Sequence, residues 1–214
     1  MLTELKALLF DFDGTLIDGY PAITASVNHV RSLHGLPSLS VPEVTPHVGR
    51  GPGHLLAATV GAGDPEENGA AYRRHHPTVM TRLTTLLPGA AQTLRGLKGR
   101  GLLTGICSNK PAAFTRELVV TLGIAAWLDV LLGPEDVGRH KPAPDMLLVA
   151  MTRLGVGAAQ ALYVGDMSVD VQTARAAGVR VWVVPTGSET PEALDAARPD
   201  RRLRDLAEIL ALLG

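Results

Sequence analysis

Cysteine is almost missing from this chain, with Cys107 standing alone among 214 residues. One thiol makes no intrachain disulfide and no cysteine-based zinc centre, so a reducing, cytoplasmic setting is the expectation. No apolar run approaches the roughly 20 residues of a bilayer-spanning helix. The opening "MLTELKALLFDF" lacks a basic start and a small-residue cleavage site, and is not read as a secretion signal. An excess of one charge is lacking too. The net charge of −1 leaves no footprint for a nucleic acid or an anionic membrane. Lysine is scarce, limited to Lys6, Lys98, Lys110 and Lys141. No glycine-rich dinucleotide fingerprint follows the first apolar run, and there is no internal repeat or low-complexity tract.

What is present describes a soluble globular protein: 46% hydrophobic and 19% charged residues, in a length that suits a core domain with a smaller insert. Short apolar runs at 7–12, 102–107, 161–166 and 179–184, with a weaker one at 128–133, read as buried strands. Helical patterns lie between them, most of them closing on glycine: Gly101, Gly123, Gly155 and Gly178. Strands alternating with helices predict an α/β fold, a Rossmann-like parallel sheet with helices on both faces. Residues 19–85 break this rhythm with helical patterns and no convincing strand. The expected division is therefore a core of 1–18 and 86–214 with a helical insert at 19–85. The tail "RRLRDLAEILALLG" carries leucines at helical spacing and is expected to pack on the sheet.

The stretch "LLFDFDGTLID" places two carboxylates at the end of an apolar strand. Side chains two apart on a strand share a face, so Asp11 and Asp13 are expected on one side and Phe12 in the opposite layer. Ligands of open α/β sheets bind at the carboxyl ends of strands, and Gly14 and Thr15 turn the chain away there. Two adjacent carboxylates repel unless a cation lies between them or one keeps its proton. Other strand ends supply further groups: Ser108 and Asn109 in "ICSNK", Lys141 in "GRHKPAPD", and Asp166 and Asp170 in "VGDMSVD". Carboxylates, a hydroxyl and an ammonium thus gather on one rim. Oxygen ligands without cysteine point to a hard cation, Mg²⁺ before Zn²⁺.

"DFDGTLID", "ICSNKP", "HKPAPD" and "VGDMSVD", in this order and spacing, resemble the four motifs of the haloacid dehalogenase-like hydrolases. The resemblance covers nearly the whole chain and is most similar to phosphoglycolate phosphatases and related small phosphatases. It implies that residues 19–85 form an α-helical cap and that the substrate is a small phosphorylated metabolite. It further implies that Asp11 attacks phosphorus to give an aspartyl-phosphate, and that Asp13 protonates the leaving oxygen and then activates water. Mg²⁺ is expected on Asp11, Asp13 (through its backbone carbonyl) and Asp166, with Asp170 reaching a metal-bound water. Ser108, Asn109 and Lys141 are expected to hold the phosphoryl group, and Thr15 to steady the first loop beside it.

Relatives with other outcomes are separable. Haloacid dehalogenases lack the second Asp, and no lysine lies between Lys6 and Lys98 to form the cap Schiff base of phosphonoacetaldehyde hydrolases. A β-phosphoglucomutase-like isomerase keeps the same core, and a receiver-type phosphorylation switch would share the Asp, Lys and Mg²⁺ but not Asp13. Arg50, flanked by glycines in "HVGRGPGHLL", either contacts a substrate carboxylate or second phosphate, or is solvated beside a helix-joining turn. His75 and His76 are expected to face different directions as surface or cap residues, His140 to orient the Lys141 loop, and Cys107 to be a buried strand residue. Oligomeric state is not readable from the sequence.

Overall fold

The computed structural model describes residues 4–213. Strand β1 (Ala7–Phe10) has no exposed side chain, as expected for a parallel strand covered on both faces. Then follow β2 (Ile17–Asp18), α1 (Tyr20–Leu33), α2 (Val41–Val44), α3 (Pro52–Thr59), α4 (Pro65–Leu83) and β3 (Thr85–Leu86). The second stretch runs through α5 (Ala90–Gly99), β4 (Leu103–Cys107), α6 (Ala112–Thr121), β5 (Val130–Leu132) and α7 (Asp145–Leu154). The last comprises β6 (Ala161–Gly165), α8 (Ser168–Ala176), β7 (Arg180–Val183), α9 (Pro191–Ala196), β8 (Arg201–Arg202) and α10 (Glu208–Leu212).

Six strands form one parallel sheet in the order β5-β4-β1-β6-β7-β8. The chain fills one side of β1 with β4 and β5, then crosses back to fill the other. That reversal opens a crevice at the carboxyl ends of β4, β1 and β6, where ligands of such sheets bind. Alternation along β1 sends Leu8 and Phe10 into a core shared with α5 and α6, and Leu9 into a core shared with α7 and α8. Helices on both faces of a parallel sheet were expected, and this is the fold.

The helices α1 to α4 form an insertion between β2 and β3. These two strands pair antiparallel, Ile17 with Leu86 and Asp18 with Thr85, so both ends of the insertion leave the core through one short ribbon. The carboxylate of Asp64 starts α4 by accepting from the N–H groups of Glu66 and Glu67 at 2.9 and 3.0 Å. Tyr72 and His76 of α4 stack at 5.1 Å, and His76 meets Phe114 of α6 at 5.0 Å, which seats the insertion on the core.

Three expectations need correction. The first strand ends at Phe10 instead of residue 12, because the Phe12 carbonyl turns to accept from the N–H groups of Thr15, Leu16 and Ile17. The segment beginning at 19 does contribute to a strand pair, through Thr85. The tail is not one helix: Arg201 and Arg202 form the edge strand, held by Asp200 N–H to Val181 O and Leu203 N–H to Val183 O. Leu203, Leu206 and Ile209 are buried all the same, so the apolar spacing served core packing while the backbone paired with β7. No helix among the described residues is long and apolar enough to cross a membrane.

Candidate active site

Each candidate side chain leaves the core at a strand end facing the crevice. Asp11 and Asp13 follow β1, Ser108 to Lys110 follow β4, Lys141 lies between β5 and α7, Asp166 follows β6, and Asp170 sits in the first turn of α8. Asp11 remains tied to the sheet by its N–H to Val164 O at 2.9 Å.

Lys141 is the hub. Its ammonium is 2.9 Å from Asp11 Oδ2, 2.7 Å from Asp170 Oδ1 and 3.1 Å from the Tyr163 hydroxyl, so all three N–H donors have partners. Asp170 is saturated in turn. Its Oδ1 faces Lys141 and Tyr163, and its Oδ2 accepts from the N–H groups of Asp166 and Met167 at 3.1 and 3.0 Å. Asp166 Oδ1 accepts from the Thr15 hydroxyl at 2.5 Å. Two buried oxygens are left without any hydrogen-bond donor, Asp11 Oδ1 and Asp166 Oδ2.

The backbone is shaped around this cluster. Gly14 has φ +82°, and a Cβ there would lie 2.4 Å from Asp166 Oδ2; a Cβ on Gly187 would lie 1.9 Å from the same atom. Only glycine lets the chain approach that carboxylate from both sides.

Carboxylate oxygens of Asp11, Asp166 and Asp170 lie within 4.8 Å of one another. Three buried carboxylates face one buried ammonium, and such an imbalance is unfavourable in a desolvated site. Burial pushes the Asp11 carboxyl up to about 6, with Lys141 pulling the other way. Burial, then the neighbouring Asp170 and Asp11, drives Asp166 well above the usual carboxylate range. Burial works against the Lys141 charge, yet Asp11 and Asp170 outweigh it and hold the ammonium above its ordinary range. A divalent cation would restore the balance, and the two donor-free oxygens are the atoms it would take. Asp170 belongs to the acidic cluster by distance, but its oxygens are already engaged. Its present contacts make it the residue that positions Lys141.

The Asp13 side differs. Lys110 Nζ lies 3.1 and 3.2 Å from the two Asp13 oxygens, with only 4% of the lysine side chain exposed. Above Asp11 and Asp13 is a cavity of about 40 Å³, roofed by Ile23, Val48, Leu55, Tyr72 and Phe114. Ser108 lines its floor, buried, with its hydroxyl accepting from the Lys110 backbone N–H at 3.3 Å. Asn109 makes different contacts from those expected. Its amide nitrogen donates to Gly49 O at 3.0 Å and Lys141 O at 3.2 Å, and its oxygen accepts from Lys141 N–H at 3.0 Å. Asn109 thus clamps the 46–51 loop of the insertion to the lysine loop. Thr15 likewise holds Asp166. Arg50 lines a separate, larger cleft of about 710 Å³ with His54, His140 and Glu189.

The histidines depart from expectation. His76 is fully buried, not superficial, and burial, helped by Lys110, lowers its pKa to about 3. His75 and His76 do not diverge: both Nδ1 atoms converge on Ser26 Oγ, at 3.2 and 3.0 Å. Exposed His140 reaches only the carbonyl of the adjacent Lys141, at 2.9 Å. Cys107 is a buried strand residue, as expected, its thiol pushed up to about 12 by burial.

Two site residues were not anticipated. Lys110 carried a usable signal, since it is one of only four lysines and directly follows Ser108 and Asn109. Tyr163 carried none, being one apolar-looking position in a strand.

Comparison with known proteins agrees with this geometry. The profile of the haloacid dehalogenase-like hydrolases matches residues 8–184. The chain is 31% identical to the phosphoglycolate phosphatase of Shigella boydii serotype 4, over 99% of its own length and 93% of that protein. It is 33% identical to the plasmid phosphoglycolate phosphatase of Cupriavidus necator, over 97% and 92%. Among solved structures, a haloacid dehalogenase-like hydrolase from Bacteroides fragilis superposes with a TM-score of 0.90 at 31% identity, covering 96% of this chain and 99% of that one. A haloacid dehalogenase-like family protein from Streptococcus pneumoniae shares the fold, with a TM-score of 0.89 at 22% identity and coverage of 99% and 100%. With the strand-end carboxylates, the lysine hub and a profile spanning most of its length, this chain belongs to the haloacid dehalogenase-like hydrolase family.

Proposed function

We propose that the protein is a Mg²⁺-dependent phosphomonoester hydrolase acting on a small phosphorylated metabolite of the phosphoglycolate type, through an aspartyl-phosphate on Asp11. The observation that carries this reading is the pair of buried, donor-free oxygens, Asp11 Oδ1 and Asp166 Oδ2, beside an ammonium that already pairs with Asp11. Mg²⁺ bound by Asp11, the Asp13 carbonyl and Asp166 would supply Lewis-acid neutralisation of phosphate charge.

The chain's own groups do the rest. Lys141 keeps Asp11 ionised and aimed, and its charge favours approach of a dianionic ester. Asp11 attacks phosphorus and the ester bond to the alcohol breaks. Asp13 gives its proton to the departing oxygen, then takes one from the water that cleaves the acyl phosphate. Proton donation requires the contact between Asp13 and Lys110 to part, because an ammonium at 3.1 Å suits the carboxylate form. Ser108 supports the phosphoryl oxygens from the floor of the cavity. The insertion at 19–85 serves as a cap, with Gly19 and 86–89 as its hinges, and its apolar roof keeps water from competing at the wrong step.

We place the enzyme in the cytoplasm, where a lone buried thiol stays reduced. Phosphate release from a panel of glycolate, nucleoside and sugar phosphates, with and without Mg²⁺, tests the reading. Release that needs the metal and favours small esters supports it, whereas glucose 6-phosphate formed from β-glucose 1-phosphate faster than free phosphate would sink it.

A further inference from the structure

In the chemistry above Lys110 enters only through its contact with Asp13, and its surroundings are specific. The ammonium has three N–H donors, and its hydrogen bonds among the described residues all go to the two oxygens of Asp13. Asp13 balances this charge, and one N–H is left to take an acceptor from a ligand, most strongly a charged one. It lines the cavity over Asp11 and Asp13, where it is the only cationic side chain. The ammonium of Lys141 is spent on Asp11, Asp170 and Tyr163, and Arg50 lines the other cleft.

Position decides which anion Lys110 meets. In the proposed reaction the phosphoryl group lies on the Asp11 side, over Ser108, where Lys141 contributes its charge while its three N–H donors stay on Asp11, Asp170 and Tyr163. Asp13 faces the departing oxygen, and Lys110 sits 3.1 Å beyond it, against the apolar roof of the insertion. A charged group on the alcohol, one carbon from the ester oxygen, would enter this desolvated corner with no other cation to receive it. We propose that Lys110 binds a carboxylate on the departing alcohol, making it the residue that selects small esters whose alcohol carries an anionic group beside the ester carbon. The inference rests on the phosphatase reading and names its substrate class from the core, not from the cap.

The test compares the specificity constant, kcat/KM, on phosphoglycolate with that on hydroxyethyl phosphate, which carries CH₂OH in place of the carboxylate, in wild type and Lys110→Met. A charge-assisted hydrogen bond predicts a wild-type preference of about tenfold or more for the carboxylate ester. In Lys110→Met the ratio should fall towards one, mainly through weaker binding of phosphoglycolate seen as a higher KM, and Lys110→Arg should recover part of it. An unchanged ratio, or equal losses on both esters, overturns the inference while leaving the phosphatase reading intact; the second result would assign Lys110 to the phosphoryl group or to Asp13. Turnover of neither ester by the wild type overturns the phosphatase reading itself. Thermal melting checks that the variants fold. Should Lys110→Met fail to fold, the wild type alone still answers: glycolate should inhibit competitively and ethylene glycol should not, and equal inhibition overturns the proposal.

Discussion

The two carboxylates of "DFD" sit two residues apart in the same loop, yet they inhabit different halves of the site. Around Asp11 every partner belongs to the core: Tyr163 and Asp166 on β6 and just after it, Asp170 in the first turn of α8 and Lys141 in the loop before α7, locked by bonds of 2.7 to 3.1 Å. Around Asp13 the one charged partner is Lys110, and the roof comes from the helical insertion together with Phe114 of α6. The first half is overdetermined and presents charge, which suits a reaction common to many esters. The second is small, apolar and made by a segment that joins the core through a two-residue ribbon. On the proposed function, reaction type and substrate choice would reside in these separately built regions, which meet where Asn109 bonds to Gly49 O.

Four experiments would break or sharpen that contrast. The largest effect is expected on the sheet side, where Asp11→Asn removes the nucleophile. Turnover should drop by about 10⁴-fold or more, while the melting temperature holds or rises because one buried charge is gone. Residual phosphate release at wild-type rate would remove Asp11 from the role. Next comes Asp13→Asn, for which a loss of roughly 10²- to 10⁴-fold in kcat is expected from a general acid and base. The loss should shrink for esters with a good leaving group such as 4-nitrophenol, and a uniform loss would argue against proton donation.

Metal binding should depend on pH with a definite sign. The Asp11 carboxyl, raised to about 6 from 3.8, holds its proton in the fold below that pH, and a cation must displace it. Mg²⁺ affinity by calorimetry should therefore weaken as pH falls through about 6, and the raised Asp166 carboxyl adds to the loss with the same sign. Without metal, the raised value means that the fold gains from this group only at low pH. That contribution is complete below 3.8 and is lost as pH rises through 6, so the gap in melting temperature between Mg²⁺- and chelator-treated protein should widen with pH. A gap that narrows would contradict the assignment.

The smallest change is Tyr163→Phe. It deletes one hydroxyl that touches Lys141, Asp170 and Cys107 O, and should cost about 1 to 3 kcal/mol of stability for the groups left unpaired. If the sheet side is as rigid as these bonds imply, kcat falls severalfold with KM nearly constant. A change confined to KM would place Tyr163 on the substrate side instead.

Much of the molecule was legible from residue order alone. Buried parallel strands announce themselves as short apolar runs, and ligands of such sheets bind at their carboxyl ends, so the gathering of Asp11, Ser108, Lys141 and Asp166 in one buried cluster is legible without coordinates. Pairing was not visible. Asp170 was expected to reach a metal-bound water, yet its four hydrogen-bonding contacts fall on Lys141, Tyr163 and two backbone N–H groups. Asn109 bridges two loops, a role that its place after Ser108 does not announce. The tail read as helix because Leu203, Leu206 and Ile209 follow helical spacing, while strand pairing of its first residues depends on a distant partner, β7. His76 was misjudged for a similar reason, since its burial is supplied by Phe114 from another element.

The amino-acid order by itself determined the alternation of strands and helices, the family motifs and the kinds of atoms available for catalysis, because these follow from local periodicity and side-chain chemistry. Only the tertiary structure decided which carboxylate faces Lys141 and which faces Lys110. It also left Asp11 Oδ1 and Asp166 Oδ2 without donors and laid an apolar roof over Asp13. These are properties of distances between residues far apart in the chain, as in the bond from Thr15 to Asp166, 151 positions on. Charge, burial and hydrogen-bond satisfaction are set by such neighbours, and no local pattern encodes them.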